Sequence, residues 1–149
     1  MRTETLQRGT RFSVILLVCA AALLSAFGQA ASASTLTVRV LDVGQGDSIF
    51  VVFPEGGTML VDTGTAEAGP RVVETLRSLD AEKIDILVAT HPHSDHIGGM
   101  LAVLDAFPVG KVWDSGYVHG TRTQQLFLQV VLDRKIRFGR PKAGFSEEF

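Results

Sequence analysis

Four side chains able to bind a metal ion fall within six positions: His91, His93, Asp95 and His96. Three imidazoles and a carboxylate can each present a lone pair to a divalent cation. In an extended segment, residues two apart point the same way, so His91 and His93 can share one ion. Asp95 and His96 project differently and can serve a second. Two ions about 3.5–4 Å apart bridge a water and lower its pKa toward neutrality, and the resulting hydroxide can attack a phosphorus or carbonyl centre. Asp95 is suited to orient that nucleophile as well as to bind, which makes it the candidate catalytic residue. A surface histidine cluster is the plainer account. It does not explain why the group sits between an apolar stretch and the Gly98-Gly99 pair.

The elements around this group must deliver it to one edge of a sheet. Thr35 to Val43 alternates and is rich in Val and Leu, and Ser48 to Phe53 is nearly all apolar; both read as strands. Pro54-Glu55-Gly56-Gly57 is a turn, and Thr58 to Val61 closes a hairpin. Gly69-Pro70 opens a helix in which Val72, Val73, Leu76 and Leu79 share a face. Ile84 to Ala89 reads as a buried strand, Thr90 to Asp95 as a loop, Ile97 to Leu104 as a helix and Val109 to Trp113 as a strand. A helix from Thr123 to Arg134 and a short strand from Ile136 to Phe138 follow. Hairpins first and strand–helix units later imply an α/β fold with a mixed sheet covered by helices. The histidines then lie at the end of a central strand, where open α/β folds place their ligand sites.

Length and composition bound the rest. The chain has 149 residues, room for one domain, and a net charge of −2, which excludes a strongly basic nucleic-acid coat. Arg2, Arg8 and Arg11 precede an apolar run from Phe12 to Phe27, and Ala31-Ser32-Ala33 fits a small-x-small cleavage pattern. Residues 1–33 therefore read as a secretory signal peptide and 34–149 as the folded domain. The run is short of the roughly 20 apolar residues a spanning helix needs, so no stable membrane anchor is expected. The expected location is periplasmic or secreted. Cys19, the one cysteine, leaves with the signal. A metal site must then use His and carboxylates, a donor set that suits zinc first and also manganese or iron.

The segment His91-Pro92-His93-Ser94-Asp95-His96-Ile97-Gly98-Gly99 resembles the His-x-His-x-Asp-His signature of the metallo-β-lactamase superfamily. Upstream, Leu41-Asp42-Val43-Gly44-Gln45-Gly46-Asp47-Ser48 and Leu60-Val61-Asp62-Thr63-Gly64 resemble its opening strands. With Asp114-Ser115-Gly116, the wording is most similar to the branch that includes the extracellular domain of bacterial DNA-internalisation competence proteins. The resemblance implies an αβ/βα sandwich and a metal-dependent hydrolase, with a phosphodiesterase or nuclease as one form of it. It implies that His91 and His93 bind one metal, Asp95 and His96 a second, and that Asp62 supports the metal loop. The substrate would be a small molecule or a phosphodiester. Nucleic acid is a further candidate partner through Arg134, Lys135, Arg137, Arg140 and Lys142, although a helix C-terminus that attracts cations accounts for these more simply.

The family supplies further ligands downstream, another His, a bridging Asp and a final His. Here His119 is the one histidine after His96. It comes too early for the family's third His and reads as a pocket or loop residue. Asp133, Glu147 and Glu148 are the candidate carboxylates, and a solvated helix face accounts for Asp133 better. The chain is thus expected to represent the first half of the sandwich, and a non-catalytic, metal-binding remnant or fragment is the alternative to an exported metal-dependent hydrolase. Trp113 and Tyr117 are read as core or pocket lining.

Overall fold

A computed structural model describes residues 35–148. Six strands form one sheet whose order in space is their order in the chain, β1-β2-β3-β4-β5-β6. They are β1 (Thr37–Val40), β2 (Ile49–Val52), β3 (Thr58–Val61), β4 (Ile84–Ala89), β5 (Val109–Asp114) and β6 (Arg137–Gly139). The first three run antiparallel. From β3 onward each neighbour is parallel. The parallel steps need crossovers, and helices supply them: α1 (Gly69–Ser78), α2 (Ser94–Ile97), α3 (Met100–Ala106) and α4 (Arg122–Asp133). The α/β mixed sheet expected from the motif order is the fold observed.

Alternation along the strands sorts the two faces. Phe50, Leu60, Leu87 and Val112 are in lateral register across β2 to β5. All four are buried, and they join Val72 and Leu76 of α1, Met100 and Val103 of α3, and Phe127 and Val131 of α4 in one core. Each such side chain contributes about 1.5–3 kcal/mol when fully buried. The opposite face carries Val51, Met59, Ile86 and Lys111 in register. Towards the edge strand β1 this face is open, with Val38 56% and Val40 77% exposed. Near β5, Lys111 pairs with Glu147, and Trp113 meets Phe145 edge-on at 5.5 Å. Trp113 and Glu147 thereby line a surface cavity together with Lys111, Arg137 and Phe145.

Three local differences from the sequence reading have physical causes. β1 stops at Val40, because Asp42 to Asp47 is a turn in which Gly44 and Gly46 take positive φ and Asp42 Oδ1 accepts the Gly44 N–H. Leu41 still donates its N–H to Ser48 O at 2.8 Å, one step past the ladder, and both Leu41 and Val43 are buried. The single helix expected from Ile97 is two, and the first begins at Ser94, inside the segment read as a loop. Of the basic cluster, Arg134 donates to Leu104 O and pairs with Asp105, which ties the end of α4 to α3. Asp133 accepts from Gln129 on the outer face of α4, as a solvated helix residue does. The expected signal peptide lies outside the described residues. Among the described residues no helix is long and apolar enough to cross a membrane.

Candidate metal centre

Three neighbouring parallel strands end at one edge, and each is followed by a loop with chemistry. Asp62 follows β3, Thr90 to His96 follows β4, and Ser115 to His119 follows β5.

Asp62 is the hub. It is 1% exposed, and its φ of 54° lies in the left-handed region that Asp tolerates better than most residues. Its Oδ1 accepts the Thr90 N–H at 2.9 Å. Its Oδ2 accepts the Thr90 hydroxyl and sits 2.8 Å from His96 Nδ1. A carboxylate only accepts, so His96 must carry its proton on Nδ1. The Thr90 hydroxyl gives its one proton to Asp62, so its contact with His91 Nδ1, at 3.0 Å, must run from His91 to Thr90. One buried carboxylate thus sets the tautomer of two imidazoles and leaves Nε2 of each with a lone pair.

Asp62, His91 and His96 offer donor atoms within 4.8 Å of one another, a spacing that one ion could share. The hydrogen bonds assign Asp62 otherwise, since both its oxygens are already engaged by Thr90 and His96. Asp62 is better placed to orient ligands than to be one.

His93 precedes α2 in extended conformation, and its carbonyl accepts from the N–H groups of His96 and Ile97. Its ring centroid lies 4.6 Å from that of His91, while His91 and His96 are 3.9 Å apart. The imidazoles therefore form one row with His91 in the middle. Asp95, in the first turn of α2, accepts from Gln45 Nε2 at 3.2 Å. Its own backbone N–H, then the Gln45 amide, then the charges of His96 and His93 hold its carboxyl below the usual carboxylate range. Asp95 is ionised at neutral pH and attracts a cation. The donor set of imidazoles and an ionised carboxylate, with two Nε2 lone pairs oriented by a buried acid, fits a zinc-like divalent ion.

Backbone contacts lock α2 in place. Thr63 donates through both N–H and hydroxyl to His96 O, and Gly64 N–H donates to Asp47 O. Gly46 lies so close that a Cβ there would stand 1.6 Å from Asp95 O. Asp133 and Glu148, weighed as bridging carboxylates, do not join the cluster among the described residues. Thr90, Thr63 and Gln45 escape sequence reasoning as site residues. Gln45 stands inside the quoted opening-strand wording, and Thr90 directly precedes the histidines, so position alone could have flagged them.

A family model described as the metallo-beta-lactamase superfamily matches residues 41–142. The hydroxyacylglutathione hydrolase of Aeromonas hydrophila is 37% identical over 65 residues, 44% of this chain and 24% of that protein. Competence protein ComA of Neisseria gonorrhoeae is 38% identical over 84 residues, 56% of this chain and 11% of that protein. Among solved structures, a metallo-beta-lactamase from Cronobacter sakazakii carrying a HARLDQ-motif mutation is similar at 22% identity and TM-score 0.47, over 53% of this chain and 31% of the other. A chemotaxis sensor with a peroxy diiron species is similar at 20% identity and TM-score 0.48, over 68% and 39%. The chain spans less than a third of the length of the curated relatives it matches.

Proposed function

Because the chain belongs to the metallo-β-lactamase superfamily, we propose that it is an exported metal-dependent hydrolase that cleaves a phosphodiester by attack of water. The observation that supports this best is the Asp62–Thr90–His91 and Asp62–His96 arrangement, which engages Nδ1 of two imidazoles and leaves Nε2 of each with a lone pair, in the same short segment that carries His93 and Asp95. When bound, a divalent ion supplies a Lewis acid and brings the pKa of a coordinated water near neutrality. His91, His93, Asp95 and His96 would hold two such ions, zinc first. Asp62 and Thr90 orient His91 and His96. Asp95, ionised and held by Gln45, accepts a proton or a hydrogen bond from the attacking water and fixes its line of approach.

The resemblance of the motif wording to DNA-internalisation competence proteins, joined by the match to competence protein ComA, favours a phosphodiester, and similarity to hydroxyacylglutathione hydrolase favours a hydroxyacylglutathione as the second reading. Purified protein is expected to bind zinc in calorimetry and to turn over bis-p-nitrophenyl phosphate faster than a hydroxyacylglutathione. His91→Ala with His93→Ala is expected to remove most zinc binding, and Asp95→Ala to remove turnover. Equal zinc affinity for wild type and the double variant would sink the metal assignment. Zinc binding without turnover of either substrate would favour a metal-binding, non-catalytic role. Export rests on the arginine-rich start, the apolar run and Ala31-Ser32-Ala33. Edman sequencing of protein from a bacterial host is expected to begin at Ser34, and an N-terminus at Met1 would count against it.

A further inference from the structure

All four histidines of the chain converge. β4 and β5 pair Ala89 with Asp114, and the loops that leave them run side by side. Four residues beyond Ala89 and five beyond Asp114, the rings of His93 and His119 stand 5.1 Å apart between centroids, at 64°. The row of imidazoles is thus His96, His91, His93 and His119.

His119 is held there by a clamp. Gln124, in the first turn of α4, is only 4% exposed. Its Oε1 accepts the N–H groups of both His119 and Gly120, at 2.9 and 3.0 Å. Its Nε2 donates to Tyr117 O at 2.8 Å. Gln125 adds a bond from Nε2 to Gly120 O, and Gly120 turns the chain with a φ of 73°. A buried amide with three engaged partners fixes the backbone on both sides of His119 while the imidazole stays exposed.

The separation has chemical meaning. Two imidazoles bound to one tetrahedral ion through nitrogens at 2.0–2.1 Å place their ring centroids about 5 Å apart. We infer that His119 is a metal ligand that shares an ion with His93, and that Gln124 is the residue that positions it. The inference rests on the reading of the His91–His96 loop as a metal site.

The test is zinc affinity by competition with a chelator, joined to the visible spectrum of the cobalt-substituted protein. His119→Ala and His119→Gln are expected to weaken binding by at least about tenfold and to alter the cobalt d–d bands. His119→Asp, which keeps a ligating oxygen, is expected to recover most of the affinity, whereas a residue that merely lined a pocket would not be rescued by a carboxylate. Gln124→Ala is expected to weaken binding less than His119→Ala. Circular dichroism of the exposed-site variants should match wild type. Unchanged affinity and spectrum in His119→Ala, with binding still lost in His93→Ala, would overturn the role of His119 alone. Failure of the wild-type protein to take up zinc or cobalt would overturn both this role and the metal reading beneath it.

Discussion

Replacing Asp62 with alanine is expected to lower zinc affinity by about 10–100-fold, although Asp62 need not touch the metal. Its carboxylate accepts from the Thr90 N–H, the Thr90 hydroxyl and His96 Nδ1. Without it, Thr90 no longer accepts in a fixed direction from His91, and both imidazoles are free to change tautomer or rotate. The buried donors that lose their acceptor also cost stability, on the order of 1–3 kcal/mol. Asp62→Asn separates the two effects. Asn tolerates the left-handed backbone at this position, and its oxygen can still accept from Thr90. Its amide group then faces a donor where an acceptor is required. Asp62→Asn is therefore expected to retain more stability than Asp62→Ala while losing much of the affinity. Chelator competition reads the first quantity and urea unfolding the second. Wild-type affinity in Asp62→Ala would show that the imidazoles are oriented by something else.

A single methyl group at Gly98 or Gly99 is expected to destabilise the fold by about 2–3 kcal/mol. The cause is space and not conformation, since φ is −60° at Gly98 and −80° at Gly99, both ordinary for an L-residue. A Cβ at Gly98 would stand 2.3 Å from Ser94 O and 2.4 Å from Ala66 N. At Gly99 it would stand 2.5 Å from Thr63 O and 2.9 Å from Gly69 Cα. These are backbone atoms, so no side chain can swing aside, and relief requires α2 to move off the β3 loop. That displacement also shifts His96, whose carbonyl is held by Thr63. Gly98→Ala and Gly99→Ala should therefore lower Tm by roughly 10 °C and weaken zinc binding together. A Tm within about 2 °C of wild type, at unchanged affinity, would show that the glycines are not there for close approach.

The legibility of this chain follows how far each signal extends along it. β3 and β4 match their sequence boundaries because turn residues bracket short apolar runs on both sides. β1 is shorter than its apolar letters suggest, because Leu41 and Val43 are buried in a segment where, past Val40, the Leu41 N–H bonds across to Ser48 before the chain turns at Gly44. Gly98-Gly99 is visible as a pair beside the histidines, yet the close approach it permits, to Thr63, Ala66 and Gly69, depends on residues some 30 positions away in the chain. The His91–His96 group was legible because its members are contiguous. The approach of His119 to His93 was not, because it depends on β4 and β5 lying side by side. Gln45 and Gln124 carry no spacing signature, since an amide acts through whichever loop the fold brings to it.

The strand order has a consequence for how the site comes into being during synthesis. Every strand after β1 pairs with the one made just before it, so no step has to close more than one hairpin turn or one helical crossover, and the entropy of closure grows only slowly with that length. A chain emerging from its N-terminus can lay down β1 to β4 in sequence. By then Asp62 and the histidine loop are both present, and Asp62 can orient His91 and His96. β5, Gln124 and His119 arrive afterwards and close over a partner already in place. The order of translation is thus also the order in which the row of imidazoles is assembled.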